Sequence, residues 1–190
     1  MKFSEILSAP NQLTLLRMLF LPLLVNEILD ENYRLALILL VLSALTDFLD
    51  GLIARVFQQQ TMLGQYLDPI ADKLLLSTLF IVLTIDHKIP VKFAVFVFTR
   101  DISILAVSAV LYTIAGLRDF RPSIFGKLNT AAQIAAVFLV ILHEVNPMPA
   151  INFGRQFFLW ATVVFTVLSG IHYAFLAGHR LRASAKPAQN

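Results

Sequence analysis

Polar residues divide the chain into six apolar stretches, near residues 11–29, 34–57, 65–85, 90–116, 124–144 and 155–178. Each is long enough to cross a bilayer, which takes roughly 20 apolar residues in a helix. The breaks between them are short and alternate between two sets. Asp30-Glu31-Asn32, Asp86-His87-Lys88 and Asn146-Pro147-Met148-Pro149 punctuate one side, and Gln58-Gln59-Gln60 and Arg118-Asp119-Phe120-Arg121-Pro122 the other. The pattern predicts an all-α protein, an integral membrane bundle of six transmembrane helices forming a single domain over residues 1–182. The first residues, Met1 to Pro10, are expected to form a short interfacial helix with Phe3, Ile6 and Leu7 on its apolar face. Residues 183–190 read as a disordered tail.

Composition narrows the function classes. Of 190 residues, 58% are hydrophobic and 14% charged, against about 45–50% and about 25% in soluble domains. A water-soluble enzyme of usual design and a disordered chain are both excluded. The absence of cysteine removes disulfides, thiolate metal sites and cysteine nucleophiles. The net charge of +3 does not point to nucleic acid, because basic residues belong in cytoplasmic loops of membrane proteins. With both termini on one side, that side collects Lys2, Arg55, Arg118, Arg121, Lys127, Arg180, Arg182 and Lys186, and the other Arg34, Lys88, Lys92 and Arg155. The excess predicts cytoplasmic termini. Neither a cleavable signal peptide nor an Arg- and Ser-rich presequence stands out, so the bacterial plasma membrane is the expected location.

The few charges left inside the spans carry the chemistry. Asp47, Asp50, Asp68 and Asp72 fall in the second and third stretches, with Arg17, Lys73 and Arg100 as the intramembrane bases. A carboxylate in the membrane interior costs several kcal/mol unless it is paired, hydrated or metal-bound. Asp47 and Asp50 are spaced i,i+3 and Asp68 and Asp72 i,i+4, so each pair occupies one helix face. At about 1.5 Å per residue all four lie in the cytoplasmic half of the bilayer. Converging carboxylates repel one another unless cations intervene, and hard divalent ions suit an all-oxygen donor set, Mg²⁺ above all, with Mn²⁺ as the other choice. A site with room for two such ions is the arrangement that stabilises attacking and leaving oxygens in phosphoryl transfer. Other readings stand beside this one. Asp68 precedes Pro69 and would also serve as a helix N-cap, and Asp47 would also pair with Arg17 or Arg100. Gly51, Ala54 and Gly64 would suit close approach of a nucleotide or plain helix packing. Arg55 would suit a phosphate or an interfacial anchor.

Asp47-x2-Asp50-Gly51-x2-Ala54-Arg55-x8-Gly64-x3-Asp68-x3-Asp72 resembles, without gap or substitution, the signature of the CDP-alcohol phosphatidyltransferases. Chance would produce these eight residues at this spacing with a probability on the order of 10⁻⁸. The resemblance implies an enzyme that transfers a phosphatidyl group from CDP-diacylglycerol to an alcohol and releases CMP. Asp47, Asp50, Asp68 and Asp72 would hold two divalent ions, and Asp72 would be the catalytic base. Asp47, Gly51, Ala54, Arg55, Gly64 and Asp68 would bind the CDP moiety. It also implies a homodimer.

The acceptor is read from further segments. Pro10-Asn11-Gln12-Leu13-Thr14-x2-Arg17, Arg100-Asp101 and Gly126-Lys127-x-Asn129-Thr130-x2-Gln133 resemble both the cardiolipin synthases of mitochondrial type and the phosphatidylglycerophosphate synthases. Asn11, Arg17, Arg100, Arg121 and Lys127 are the candidates for binding lipid or acceptor phosphate. For Arg100 the partners open to it are a lipid phosphate, the aspartate cluster, or simply Asp101 or Asp47. No second arginine follows Arg100 within Asp101 to Ser108, where the glycerol-phosphate enzymes usually have one. That apolar run suits a lipid acceptor, so phosphatidylglycerol is expected as acceptor and cardiolipin as product. Glycerol 3-phosphate is the alternative, since Arg118, Arg121 and Lys127 would supply a phosphate pocket. A cation transporter is a remote alternative, disfavoured because the acids cluster in two successive spans near one face.

Overall fold

The computed structural model describes the backbone over residues 9–56, 62–115 and 124–184, and side chains over residues 18–49, 73–103, 106 and 124–172. Six helices account for nearly all of it: α1 (Ala9–Leu29), α2 (Tyr33–Val56), α3 (Met62–Ile85), α4 (Val91–Ala115), α5 (Ile124–Val145) and α6 (Pro149–Ser184). No strand occurs among the described residues, as the all-α expectation requires. The helices follow the six apolar stretches closely. The interfacial segment proposed for Met1 to Pro10 falls mostly outside the described residues, and so does the tail from residue 185.

Tight turns end α1 and α3 without glycine. Asn32 N–H reaches the Glu27 carbonyl and Glu31 N–H the Ile28 carbonyl; Lys88 N–H and His87 N–H repeat this with Leu83 and Thr84. Each is the paired bond set of a Schellman cap, which turns on one left-handed residue. Glu31 and His87 fill that position at φ 58° and 59°, at a cost of about 1–2 kcal/mol each for a side chain there. Pro149 begins α6, where a proline's missing N–H would have no helical partner anyway. Pro22 lies inside α1.

The chain packs as two compact units. The first comprises Met1–Ile89 with Val137–Asn152; in it α1 packs against both α2 and α3, and Leu24, Ile28, Ala36, Leu79, Phe80, Leu83, Val140 and Ile141 are buried. Tyr33 Oη donates to Asp86 Oδ2 at 2.7 Å, tying the start of α2 to the end of α3. Lys88 lies 5.2 Å from the centre of the Tyr33 ring and bridges to Glu144 at 3.0 Å. The second unit comprises Pro90–Ala136 with Phe153–Asn190. Its buried residues include Phe93, Val97, Ala132, Ala136 and Leu159, and with them a polar seam of Asn129, Gln133, Thr162, Thr166 and Ser169.

Many large apolar side chains are exposed among the described residues. Leu19, Phe48, Ile85, Ile124 and Phe153 are each more than 60% exposed. Two helical segments among the described residues have both the length and the hydropathy to cross a membrane, Ile124–Val145 and Pro149–His172, while Met18–Leu29 and Lys73–Ile85 are shorter apolar stretches. Only 17% of the apolar window in α6 is buried, so it is not the core helix of a water-soluble fold.

Candidate functional site

The two aspartate pairs sit on consecutive helices of the first unit. Asp47, Asp50, Gly51, Ala54 and Arg55 occupy the second half of α2, and Gly64, Asp68 and Asp72 the first half of α3. Both helices are continuous through these positions, so Asp47/Asp50 and Asp68/Asp72 keep the one-turn spacing on which the sequence argument depends. α3 starts at Met62, six residues before Asp68, so Asp68 and Pro69 lie within the helix and Asp68 is not its N-cap. Helix α1, which carries Asn11 and Arg17, packs on both helices.

Of the four aspartates, Asp47 alone has its side chain among those described; it is exposed and engaged with a partner. The side chains of Asn11, Arg17, Asp50, Gly51, Ala54, Arg55, Gly64, Asp68 and Asp72 lie outside the described set, and Arg121 lies outside the described residues altogether. Among the described side chains no group of three or more His, Asp or Glu comes together. The donor set itself is all carboxylate, and that chemistry fits a hard divalent cation.

The remaining phosphate-binding candidates belong to the second unit. Arg100 donates from Nη1 to Asp101 Oδ1 at 2.8 Å, with both side chains about a tenth exposed. Of the partners open to Arg100, the structure therefore shows its neighbour. Arg100 Nε is buried with no hydrogen-bond partner among the described residues. Lys127 is exposed in the first turn of α5.

Two features escaped the sequence reading. Ser43, one turn before Asp47, is 1% exposed and its Oγ has no partner among the described residues. In the second unit, Thr166 Oγ1 donates to Asn129 Oδ1 at 3.3 Å, while Asn129 Nδ2, Gln133 Nε2 and Ser169 Oγ are buried without hydrogen-bond partners among the described residues. Small polar residues across a helix contact are characteristic of membrane helix packing. Their signal was present as the i, i+4, i+7 spacing of Thr162, Thr166 and Ser169 on an otherwise apolar helix.

The sequence matches the family profile described as CDP-alcohol phosphatidyltransferase over residues 7–168. That segment contains both aspartate pairs and five of the six helices entire. The chain belongs to the CDP-alcohol phosphatidyltransferase family. Two kinds of relative carry comparable similarity. Human cardiolipin synthase (CMP-forming) is 31% identical over 192 residues, covering 90% of this chain and 62% of that protein. The CDP-diacylglycerol–glycerol-3-phosphate 3-phosphatidyltransferase of Bacillus subtilis is 32% identical over 181 residues, covering 86% of this chain and 92% of that protein. The enzyme of that name from Aquifex aeolicus is 32% identical over 143 residues, covering 74% and 80%. The chain thus spans about three fifths of the length of the human and rat cardiolipin synthases it matches.

Proposed function

We propose that this family member is a phospholipid-synthesising transferase that moves the phosphatidyl group of CDP-diacylglycerol to the hydroxyl of phosphatidylglycerol, giving cardiolipin and CMP. The observation that carries the reading is the unbroken eight-residue signature, set at helical spacing on two consecutive helices of one unit and inside the matched segment. In the reaction the acceptor oxygen forms a bond to the β-phosphorus while the bond from that phosphorus to the bridging oxygen breaks, and CMP leaves with the electron pair. The Asp72 carboxylate takes the proton of the attacking hydroxyl. Asp47, Asp50, Asp68 and Asp72 would hold two divalent ions, Mg²⁺ or Mn²⁺, which when bound neutralise charge on the transferring phosphoryl group. Asp47 and Asp68 share in fixing the diphosphate, and Gly51, Ala54 and Gly64 leave room for the cytidine nucleotide. Arg55 forks onto phosphate oxygens.

The same proposal places all six helices across a bacterial plasma membrane, with termini and active site on the cytoplasmic side and the protein as a homodimer. The exposed apolar exterior supports the membrane setting, since soluble monomers rarely expose large apolar patches. For the acceptor, Arg100 is already engaged by Asp101 and no second arginine follows it within Asp101 to Ser108, which favours a lipid acceptor over a small phosphorylated one.

A second reading, glycerol 3-phosphate as acceptor, is supported by similarity: the chain is 32% identical to the Bacillus enzyme of that name over 181 residues. Asn11, Arg17, Arg121 and Lys127 are the acceptor-side candidates in either case. The test is CMP release by the purified protein from CDP-diacylglycerol with Mg²⁺, comparing phosphatidylglycerol with glycerol 3-phosphate. Faster release with phosphatidylglycerol is expected; faster release with glycerol 3-phosphate selects the second reading. No CMP with any alcohol, alongside ion flux in liposomes, overturns the transferase.

A further inference from the structure

One face of α6 forms a shallow apolar groove lined by Phe153, Gln156, Phe157, Trp160, Val164 and Phe165, with Ala161 among them. These positions repeat at three and four residues, the spacing of a single helix stripe. From Phe153 to Phe165 the stripe is about 18 Å long at the helical rise. One leaflet's share of the hydrocarbon core is about 15 Å. The groove therefore has the length of one extended acyl chain.

Its polar neighbour, beside the middle of the stripe, comes from the start of α4. Phe93, 2% exposed, meets Trp160 edge to face at 5.5 Å between ring centres and fixes that indole at the groove wall. Lys92 Nζ lies 4.9 Å from the centre of the Trp160 ring and 5.2 Å from that of Phe93. The exposed ammonium is thus held at the groove, and no carboxylate pairs with it among the described residues. Aromatic faces hold a cation without neutralising it, so Lys92 keeps its charge for an anion. A second basic residue, Arg155, sits in the same turn as Gln156, its Nε buried with no hydrogen-bond partner among the described residues. The second unit has only two acidic residues in sequence, Asp101 and Asp119. An apolar stripe with an uncompensated cation beside its middle turn offers contacts to both chemical parts of an anionic phospholipid.

We infer that this face binds one anionic phospholipid, its acyl chain along the α6 groove and its phosphate at Lys92, apart from the aspartate-bearing helices. The inference rests on the membrane setting proposed above.

Trp160 is the single tryptophan of the chain, so its fluorescence reports on this groove alone. The full-length protein is reconstituted in phosphatidylcholine vesicles containing a minor fraction of a lipid with brominated chains. That lipid is either phosphatidylserine, which is anionic and not the proposed acceptor, or phosphatidylcholine. Brominated phosphatidylserine is expected to be enriched at Trp160 about fivefold over brominated phosphatidylcholine, the factor for one basic side chain meeting an anionic lipid. Lys92→Gln abolishes that preference and Lys92→Arg retains it, both with unchanged thermal unfolding because Lys92 is exposed. Equal quenching by the two brominated lipids, or a preference that survives Lys92→Gln, overturns the inference and leaves the membrane setting intact. Absence of quenching by either lipid overturns both.

Discussion

The two units of this protein carry opposite charge. The first has ten acidic against six basic residues, a net of −4, and the second two against nine, a net of +7. Their charges are also managed differently. At the ends of α1, α3 and α5 the first unit engages its charges internally: Lys88 pairs with Glu144 at 3.0 Å, and the neutral donors Tyr33 and Asn32 hydrogen-bond to Asp86 at 2.7 Å and Glu27 at 2.7 Å. The same unit carries Asp47, Asp50, Asp68 and Asp72, whose charge the divalent ions proposed above would offset. In the second unit Arg100 has Asp101, while Lys92 rests on aromatic rings and Lys127 is exposed. Net charge inside or beside hydrocarbon is expensive, and the ligands proposed above follow its sign: divalent cations for the first unit and an anionic headgroup for the second.

The sharpest way to break this contrast is Asp72→Asn. It removes one unit of the acidic excess and the proposed base together, and is expected to lower CMP release by about 10²–10⁴-fold with helicity by circular dichroism unchanged. Retained turnover would remove Asp72 from the chemistry and leave the acidic excess unexplained by catalysis.

In the basic unit the matching test is structural. Phe93→Ala deletes a ring buried to 2% that seats both Trp160 and Lys92. It should cost about 3–5 kcal/mol, measured by thermal unfolding in detergent, together with a red shift of Trp160 emission. A loss under about 1 kcal/mol would show that the aromatic cluster is surface ornament rather than core.

The smallest effect lies in the paired charges of the acidic unit. Burial, followed by the Asp86 carboxylate that accepts its hydrogen bond, pushes the Tyr33 hydroxyl from 10.0 up to about 12. The hydrogen bond to Glu144 is the main cause raising Lys88. Both groups hold their protons more tightly in the folded state, so their contribution is complete below about pH 10 and is lost as pH rises toward 12. Tyr33→Phe should flatten the fall of unfolding temperature across that window, and Glu144→Gln should cost no more than about 1 kcal/mol near neutrality. An unchanged slope in Tyr33→Phe would mean that other groups set the alkaline limit.

Much of this was legible along the chain. The apolar stretches placed six helices close to where they lie, α6 alone running six residues further at each end, because a buried or apolar backbone must satisfy its own hydrogen bonds. The aspartate spacing was legible too, since helical register converts sequence separation directly into shared faces. Other features were not. Asp68 next to Pro69 reads equally well as a helix start or a helix interior, and only the helix beginning at Met62 decides between them. Three candidate partners were open to Arg100, and packing selected Asp101. Ser43 and the Thr162–Thr166–Ser169 row drew no notice because single hydroxyls barely interrupt an apolar pattern, yet burial makes each one consequential.

By itself the sequence determined the helical class, the positions of the helices and the spacing of the aspartates, all of which depend on residue type and on periodicity along one dimension. Only the tertiary structure decided which charges pair with one another, which hydroxyls and amides are buried, and that Lys92, Phe93 and Trp160 meet beside an apolar groove. Trp160 lies 67 residues beyond Phe93 in the chain, and no local pattern encodes a contact made by packing one helix against another.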